Sequence, residues 1–348
     1  MTTIYLIRHG EAEGNAFRRL HGQYDSILTP NGFRQAEAVA RRFQDIPVDA
    51  CFSSDLTRTS LTARSIYIPQ KLSLQRDQAF REVLLGEWED VPFGYLERFA
   101  PQELLCFNRD PVHWHAQGAE RFEEYTDRFI DGMRRAAEAF PGGTIAIFCH
   151  GSVLRGTLMR LFFHNDSGQV PYCDNTAVSK LFWNQGTFKY EYLNDNSHLP
   201  PELSTFARQK WWREDGKKDF NLYYLPVADV RTRNGIPDPV PDCVSYFAML
   251  GMEAVGLVSL SPGEDEVGWI RQLYLRPDLQ GRCMEDQLLG QAVSVFRKAG
   301  CRTMAAKPQD VEPEEILERY GFVQAEGSLR VNIDPGVYQW QREPAAVG

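Results

Sequence analysis

Thr3-Ile4-Tyr5-Leu6-Ile7-Arg8-His9-Gly10-Glu11 is the stretch on which the fold turns. The apolar run Ile4-Tyr5-Leu6-Ile7 predicts a short strand over 3–7, and residues with chemistry follow its end directly. Parallel sheets gather ligands at the carboxyl ends of their strands, so Arg8 and His9 stand where a ligand belongs. Thr144-Ile145-Ala146-Ile147-Phe148-Cys149 reads as a second, buried strand, and His150-Gly151 follows it in the same way. Taken singly, each histidine would read as an ordinary loop residue. Two at equivalent strand ends can face one pocket, and the glycine after each lets a ligand or another backbone come close.

Short β-branched runs alternate with amphipathic stretches of helical period, the pattern of an α/β domain with a largely parallel sheet. A helix is predicted over 31–43, with Thr29 as cap, Pro30 in the first turn, and Ala36, Val39, Ala40 and Phe43 at helical spacing. A strand over 48–53 and a helix over 55–66 follow. A longer helix is marked by Phe122, Tyr125, Phe129, Met133 and Ala137. The stretch 200–219 is polar and charged, contains Pro200-Pro201, and separates two runs of strand-like sequence. It predicts a first domain over 1–199, a linker over 200–219 and a second domain over 220–348. The second should hold strands over 222–227, 244–250, 254–260 and 267–275, a helix over 285–299, then a strand, a short helix and a strand.

At 348 residues, 43% hydrophobic and 24% charged, the chain can fill two ordinary cores. Its net charge of -9 offers no general attraction for nucleic acid or an anionic membrane, so neither is expected as a partner. No basic flank or cleavable apolar stretch of signal-peptide length stands before the first strand and no run reaches membrane-spanning length, so neither a signal peptide nor a membrane span is expected. The 7 cysteines are odd in number and scattered without a CxxC pair, which fits reduced thiols in a cytoplasmic protein.

The first domain resembles the histidine phosphatase, or phosphoglycerate mutase-like, superfamily. The resemblance rests on Arg8-His9-Gly10-Glu11 with Asn15, the segment 22–29 with Asp25-Ser26, and Ser53-Ser54-Asp55-Leu56-Thr57-Arg58-Thr59 with Thr62-Ala63. It continues through Arg81-Glu82, Gly86-Glu87-Trp88-Glu89, 118–120, His150-Gly151, Asn175-Thr176 and 194–198, in the family's order. It implies a three-layer α/β/α fold with a mostly parallel sheet.

The chemistry fits that resemblance. A phosphoryl group in transfer carries spread negative charge, so catalysis needs fixed positive charge and donors around it. Arg8 and Arg58 can supply planar forks for phosphate oxygens. His9 is then the nucleophile, its second ring nitrogen held by a backbone acceptor, and His150 donates to phosphate as a cation. The helix starting near Gly151 adds its positive end. By resemblance, Glu82 protonates the leaving alkoxide and then takes a proton from the hydrolytic water. Asn15, His21, Gly22 and Gly151 match substrate-binding positions. The substrate implied is a small phosphorylated metabolite, and no metal or other cofactor is required. His113 and His115 lack a third ligand nearby and read as pocket rim; with Trp114 they lie in the stretch that covers the pocket in relatives. A mutase would use the same residues. The short segment between Glu82 and His150 favours hydrolysis, with mutase transfer and a sensor without turnover as alternatives.

The second domain resembles the GNAT acyltransferase fold over 222–339, a mixed α/β arrangement. The carriers are Ile270-Arg271-Gln272-Leu273-Tyr274-Leu275-Arg276-Pro277, the following loop and helix through Leu288-Leu289, and Glu318-Arg319-Tyr320-Gly321-Phe322. The resemblance implies acetyl-CoA contacts at Leu273, Leu275, Gly281 and Arg282, through a splayed strand and backbone amides on the pyrophosphate. Cys283 and Glu285, however, stand where the family has small residues, usually glycine, and Leu317 stands where a tyrosine often serves as acid. The stretch 228–242 is short for the acceptor-side helices. Three readings stay open: a degenerate scaffold, a weak acetyltransferase using Arg276 and Arg282, and a different sheet protein.

Overall fold

The computed structural model describes residues 1–209, 220–230, 235–263, 265–325 and 327–339. The second half of the expected linker and the tail after 339 lie outside the described residues. In chain order the first part comprises β1 (Thr2–Arg8), α1 (Glu13–Ala16), α2 (Pro30–Arg42), β2 (Ala50–Ser53), α3 (Thr57–Tyr67), β3 (Leu74–Arg76) and α4 (Phe93–Phe99). It continues with α5 (Pro101–Arg109), α6 (Phe122–Ala139), β4 (Thr144–Cys149), α7 (Gly151–Phe162), β5 (Val178–Asn184) and β6 (Thr187–Asp195).

These strands form one sheet in the order β3-β2-β4-β1-β5-β6. The first four are parallel, whereas β5 and β6 run antiparallel, so the sheet is mixed. The unanticipated β5–β6 hairpin turns at Gln185 and Gly186, both at positive φ, the twist that matches paired strands. Strand pleating sends alternate residues to opposite faces. Ile4, Leu6, Ile145 and Ile147 pack with Phe129 and Met133 of α6 and Leu154 and Leu158 of α7. Tyr5, Ile7 and Phe148 pack with Val39 of α2, with Phe43 directly after it and with Ile66 of α3. That makes three layers. Arg8 pairs with Cys149 in the parallel ladder, which places His9 and His150 side by side at adjoining strand ends.

Next comes α8 (Thr205–Gln209), then β7 (Tyr223–Pro226), β8 (Val244–Leu250), β9 (Glu253–Pro262), β10 (Val267–Leu275), α9 (Glu285–Lys298) and β11 (Thr303–Ala306). The chain closes with β12 (Val311–Glu312), α10 (Glu315–Arg319), β13 (Val323–Ala325), β14 (Ser328–Asn332) and α11 (Gly336–Gln339). The sheet runs β13-β14-β11-β10-β9-β8-β7, with β12 paired to β10. Leu288, Leu289, Ala292 and Phe296 of α9 pack on Ile270, Leu273 and Leu275. This is a mixed α/β domain with more strands at its end than expected.

The boundary is less clean than the linker predicts. Phe17, just after α1, is buried in the second domain's core. A Cβ on Gly290 would come within 2.4 Å of the Phe17 Cβ, so a glycine there lets the two parts close. The described part of the linker is likewise no free spacer, because Leu203 and α8 are hydrogen-bonded to the first domain. Among the described residues, no helix is long and apolar enough to cross a membrane. All seven cysteines are free thiols.

Candidate active site

His9 leaves β1 as a buried side chain, and its Nδ1 lies 2.7 Å from the Gly10 carbonyl oxygen. A carbonyl only accepts, so Nδ1 carries the proton and Nε2 keeps its lone pair. Burial and the charges of Arg58 and Arg8 hold the imidazole well below its ordinary pKa, so it is neutral at pH 7. The Gly10 N–H in turn donates to Thr62 Oγ1 at 2.9 Å, fixing the turn.

His150 caps α7 and is fully buried, its ring centroid 5.2 Å from that of His9. The cation expected from the sequence is a neutral ring here. Burial and the charges of Arg58 and Arg8 push its pKa well down. Arg58 Nε donates to His150 Nδ1 at 3.2 Å, so the proton sits on Nε2, which has no acceptor among the described residues.

The two arginines differ. Arg8 donates through Nη1 to the Cys173 carbonyl, and its buried Nε has no partner among the described residues. Arg58, also buried, donates to the carbonyls of Tyr24 at 2.9 Å and Gly22 at 2.6 Å besides His150. The open fork expected of Arg58 is therefore mostly committed to holding the 21–24 loop, while its charge stays beside His9. Gly151 lets Arg8 approach, since a Cβ there would stand 3.1 Å from Arg8 Nε.

Glu82 lies across the site, accepting from the backbone N–H groups of Ser152 at 3.0 Å and Val153 at 2.7 Å, at the start of α7. Arg8, His9, Asn15, His21, Arg58, Glu82 and Gly151 line a single cavity. Gly22 sits behind that wall instead, because a Cβ on it would meet the Val83 carbonyl oxygen and Glu89 at 2.4 Å. Asn15 Oδ1 accepts from Ala12 N and from Asn175 Nδ2, which ties the cavity floor to the turn before β5. His113 and His115 are exposed and do not line the cavity, whereas Trp114 between them is buried and does.

Several supporting residues escaped sequence reasoning. Glu89 accepts from three consecutive N–H groups, Gly22, Gln23 and Tyr24, at 2.8 to 3.1 Å. Asp90 is buried among Arg19 at 2.6 Å, His21 at 3.4 Å and Ser294 of α9 at 2.5 Å. Although burial raises its pKa, the His21 hydrogen bond and the Arg19 charge together hold it well below the usual carboxylate range. Glu89 stood in the Gly86-Glu87-Trp88-Glu89 motif with no role attached, and the only signal for Asp90 was its place directly after that motif.

The four positions expected to contact a coenzyme, Leu273, Leu275, Gly281 and Arg282, lie in the second domain and do not line this cavity. Leu273 and Leu275 are core side chains. The strand edge beside Leu273 is occupied, because β12 pairs Val311 with Leu273 and Glu312 with Tyr274. The Gly281 N–H donates to the Glu285 carboxylate, and Arg282 is exposed. Cys283 takes a φ of 59°, a left-handed conformation that favours glycine.

Residues 4–196 match the family model of the histidine phosphatase superfamily (branch 1). The chain is 26% identical over 199 residues to the uncharacterized phosphatase PhoE of Bacillus subtilis (strain 168), covering 57% of this chain and 97% of that protein. It is 30% identical over 212 residues to a metal-independent phosphoserine phosphatase of Arabidopsis thaliana, covering 57% of this chain and 84% of that one. The solved structure of Bacillus stearothermophilus YhfR superposes with a TM-score of 0.54 at 28% identity, over 57% of this chain and 99% of that chain. The chain belongs to the histidine phosphatase superfamily and is an enzyme of that type.

Proposed function

We propose that this enzyme hydrolyses small phosphate monoesters, without a metal ion, through a phosphoryl group carried on His9. The observation that carries the reading is the Nδ1 bond of His9 to Gly10, which leaves a neutral Nε2 in a cavity shared with Arg8, Arg58 and Glu82. In the first step a bond forms from Nε2 to phosphorus as the ester P–O bond breaks. The departing alkoxide takes a proton from the carboxyl of Glu82. The ring becomes cationic, and the Gly10 carbonyl faces its remaining N–H. In the second step water attacks phosphorus, Glu82 accepts the water's proton, and the P–N bond breaks to return neutral His9 and phosphate. The charges of Arg8 and Arg58 and the Nε2–H of His150 stabilise the transferring oxygens.

Hydrolysis is preferred to mutase transfer because the segment between Glu82 and His150 is short, and two of the relatives above carry phosphatase names. The second domain we read as a GNAT-like scaffold that holds no coenzyme. Support comes from β12 on the strand edge that a pantetheine arm would need, and from Glu285 on the Gly281 amide that a pyrophosphate would need.

Phosphate release from a panel of monoesters in chelator tests the reaction. Release should persist in chelator and vanish in His9→Ala. Glu82→Gln should slow alkyl esters by about a hundredfold more than an aryl ester with a good leaving group. Turnover retained by His9→Ala would overturn the proposal.

A further inference from the structure

The cavity has a wall that the family match does not include. That match ends at residue 196, before α8 begins. Thr205, Phe206 and Gln209 nevertheless line the same cavity as His9 and Glu82. Their placement is built: Thr205 Oγ1 donates to Glu11 Oε2 at 2.9 Å, and Gln209 Nε2 donates to the Asn15 carbonyl at 2.8 Å. Ser204 Oγ donates to Asp174 at 2.6 Å and accepts from Ala207 N at 3.0 Å. Gln35 reaches the Leu203 carbonyl at 2.6 Å and Thr205 at 3.0 Å. The helix is thus tied to residues two and six positions after His9, and to the one before Asn175.

We propose that α8 sets leaving-group specificity, with Phe206 as the determining residue, and that the preferred alcohol carries a flat apolar ring. This deepens the phosphoester reading above and rests on it for the orientation of the ester. With phosphorus at His9, the alcohol extends toward the rest of the cavity, whose lining includes Phe206 together with Phe93, Phe107, Trp114 and Tyr172. Pockets lined by rings bind through buried apolar area, and a few polar groups fix orientation.

The test compares 2-phenylethyl phosphate with ethyl phosphate, whose alcohols are of similar basicity, so the ratio of kcat/KM reports binding of the ring. The ratio should be about tenfold or more in the unaltered enzyme. It should fall about fivefold in Phe206→Ala, mainly through KM, while Phe206→Tyr keeps it and Phe206→Leu is intermediate. The same preference should appear as a ratio of Kd for 3-phenylpropylphosphonate and propylphosphonate, in which a P–C bond prevents transfer. A ratio near one in the unaltered enzyme, or one unchanged in both Phe206→Ala and Phe206→Leu, would overturn the inference. A preserved Kd ratio with no turnover of any ester would overturn the phosphatase reading and leave the wall standing.

Discussion

Glu13 and Arg297 form an ion pair at 2.8 Å across the seam between the two domains, with side chains 2% and 11% exposed. Tyr320 donates its hydroxyl to the same carboxylate at 2.9 Å. Glu13 opens α1, two residues before Asn15, so the second domain holds the segment that lines the substrate cavity. Removing one partner of a buried pair strands the other charge, which typically destabilises by about 3–5 kcal/mol. Arg297→Met should lower Tm and raise KM for phosphate esters more than it lowers kcat. Adding Glu13→Gln should recover part of the lost stability. A double variant no more stable than Arg297→Met would refute the pair's coupling to the fold.

Gly22 and Gly151 should respond differently to a methyl group. At Gly22 the new Cβ meets the backbone oxygen of Val83 at 2.4 Å, which has no room to yield. At Gly151 it meets the tip of Arg8 at 3.1 Å, which can shift. Gly22→Ala should cost about 2 kcal/mol or more of stability. Gly151→Ala should leave Tm within a few degrees yet lower kcat about tenfold or more by displacing Arg8. Urea melts and steady-state kinetics on the two variants separate these effects; the reverse pattern would show that Arg8 is not positioned through Gly151.

Acidification should act through the buried histidines. The folded pKa values of His9 and His150 lie well below 6.5, the ordinary value. Between folded and ordinary values the unfolded chain binds more protons, so stability contributed by these rings is present above about pH 6.5 and is lost as pH falls. Asp90 adds the same sign lower down, its contribution being present above about pH 4 and lost below it. Nitrogen chemical shifts of His9 and His150 should remain those of neutral imidazole at pH 5.5. Titration of either near 6.5 would contradict their electrostatic setting.

Acetyl-CoA should not stabilise the protein. On the reading proposed above, β12 on the strand edge beside Leu273 and Glu285 on the Gly281 amide stand where the coenzyme's arm and pyrophosphate would have to bind. A ligand at 100 times its Kd would add about 2.7 kcal/mol and raise Tm visibly. Millimolar acetyl-CoA should leave Tm unchanged, and a rise of several degrees would restore the acetyltransferase reading.

What could be read from the sequence was whatever is encoded locally. Apolar runs closed by polar residues placed β4, β8 and β10 at the bounds observed, and Thr29-Pro30 marked the start of α2 within a residue. His9, His150 and Glu82 were visible through motif and strand-end position, because parallel sheets concentrate chemistry there. Asp90 was not, and Glu89 appeared as a motif position without a role, since a charged pair after a tryptophan says nothing of the N–H groups and side chains that converge on it. The charge state of His150 depends on burial and on the Arg58 Nε–H, neither of which is local. The stretch containing α8 is polar and carries two prolines, so it reads as a linker; its role arises from contacts with Glu11, Gln35 and Asp174, far back in the chain.

The most direct test of the account is to quench the enzyme during turnover of a phosphate ester and locate the phosphoryl group by mass spectrometry under alkaline conditions, which spare a P–N bond. The account predicts one phosphoryl group on His9, discharged to phosphate on a chase with unlabelled ester and accumulating in Glu82→Gln. Turnover with no phosphoryl group on His9, or with it on another residue, would contradict it.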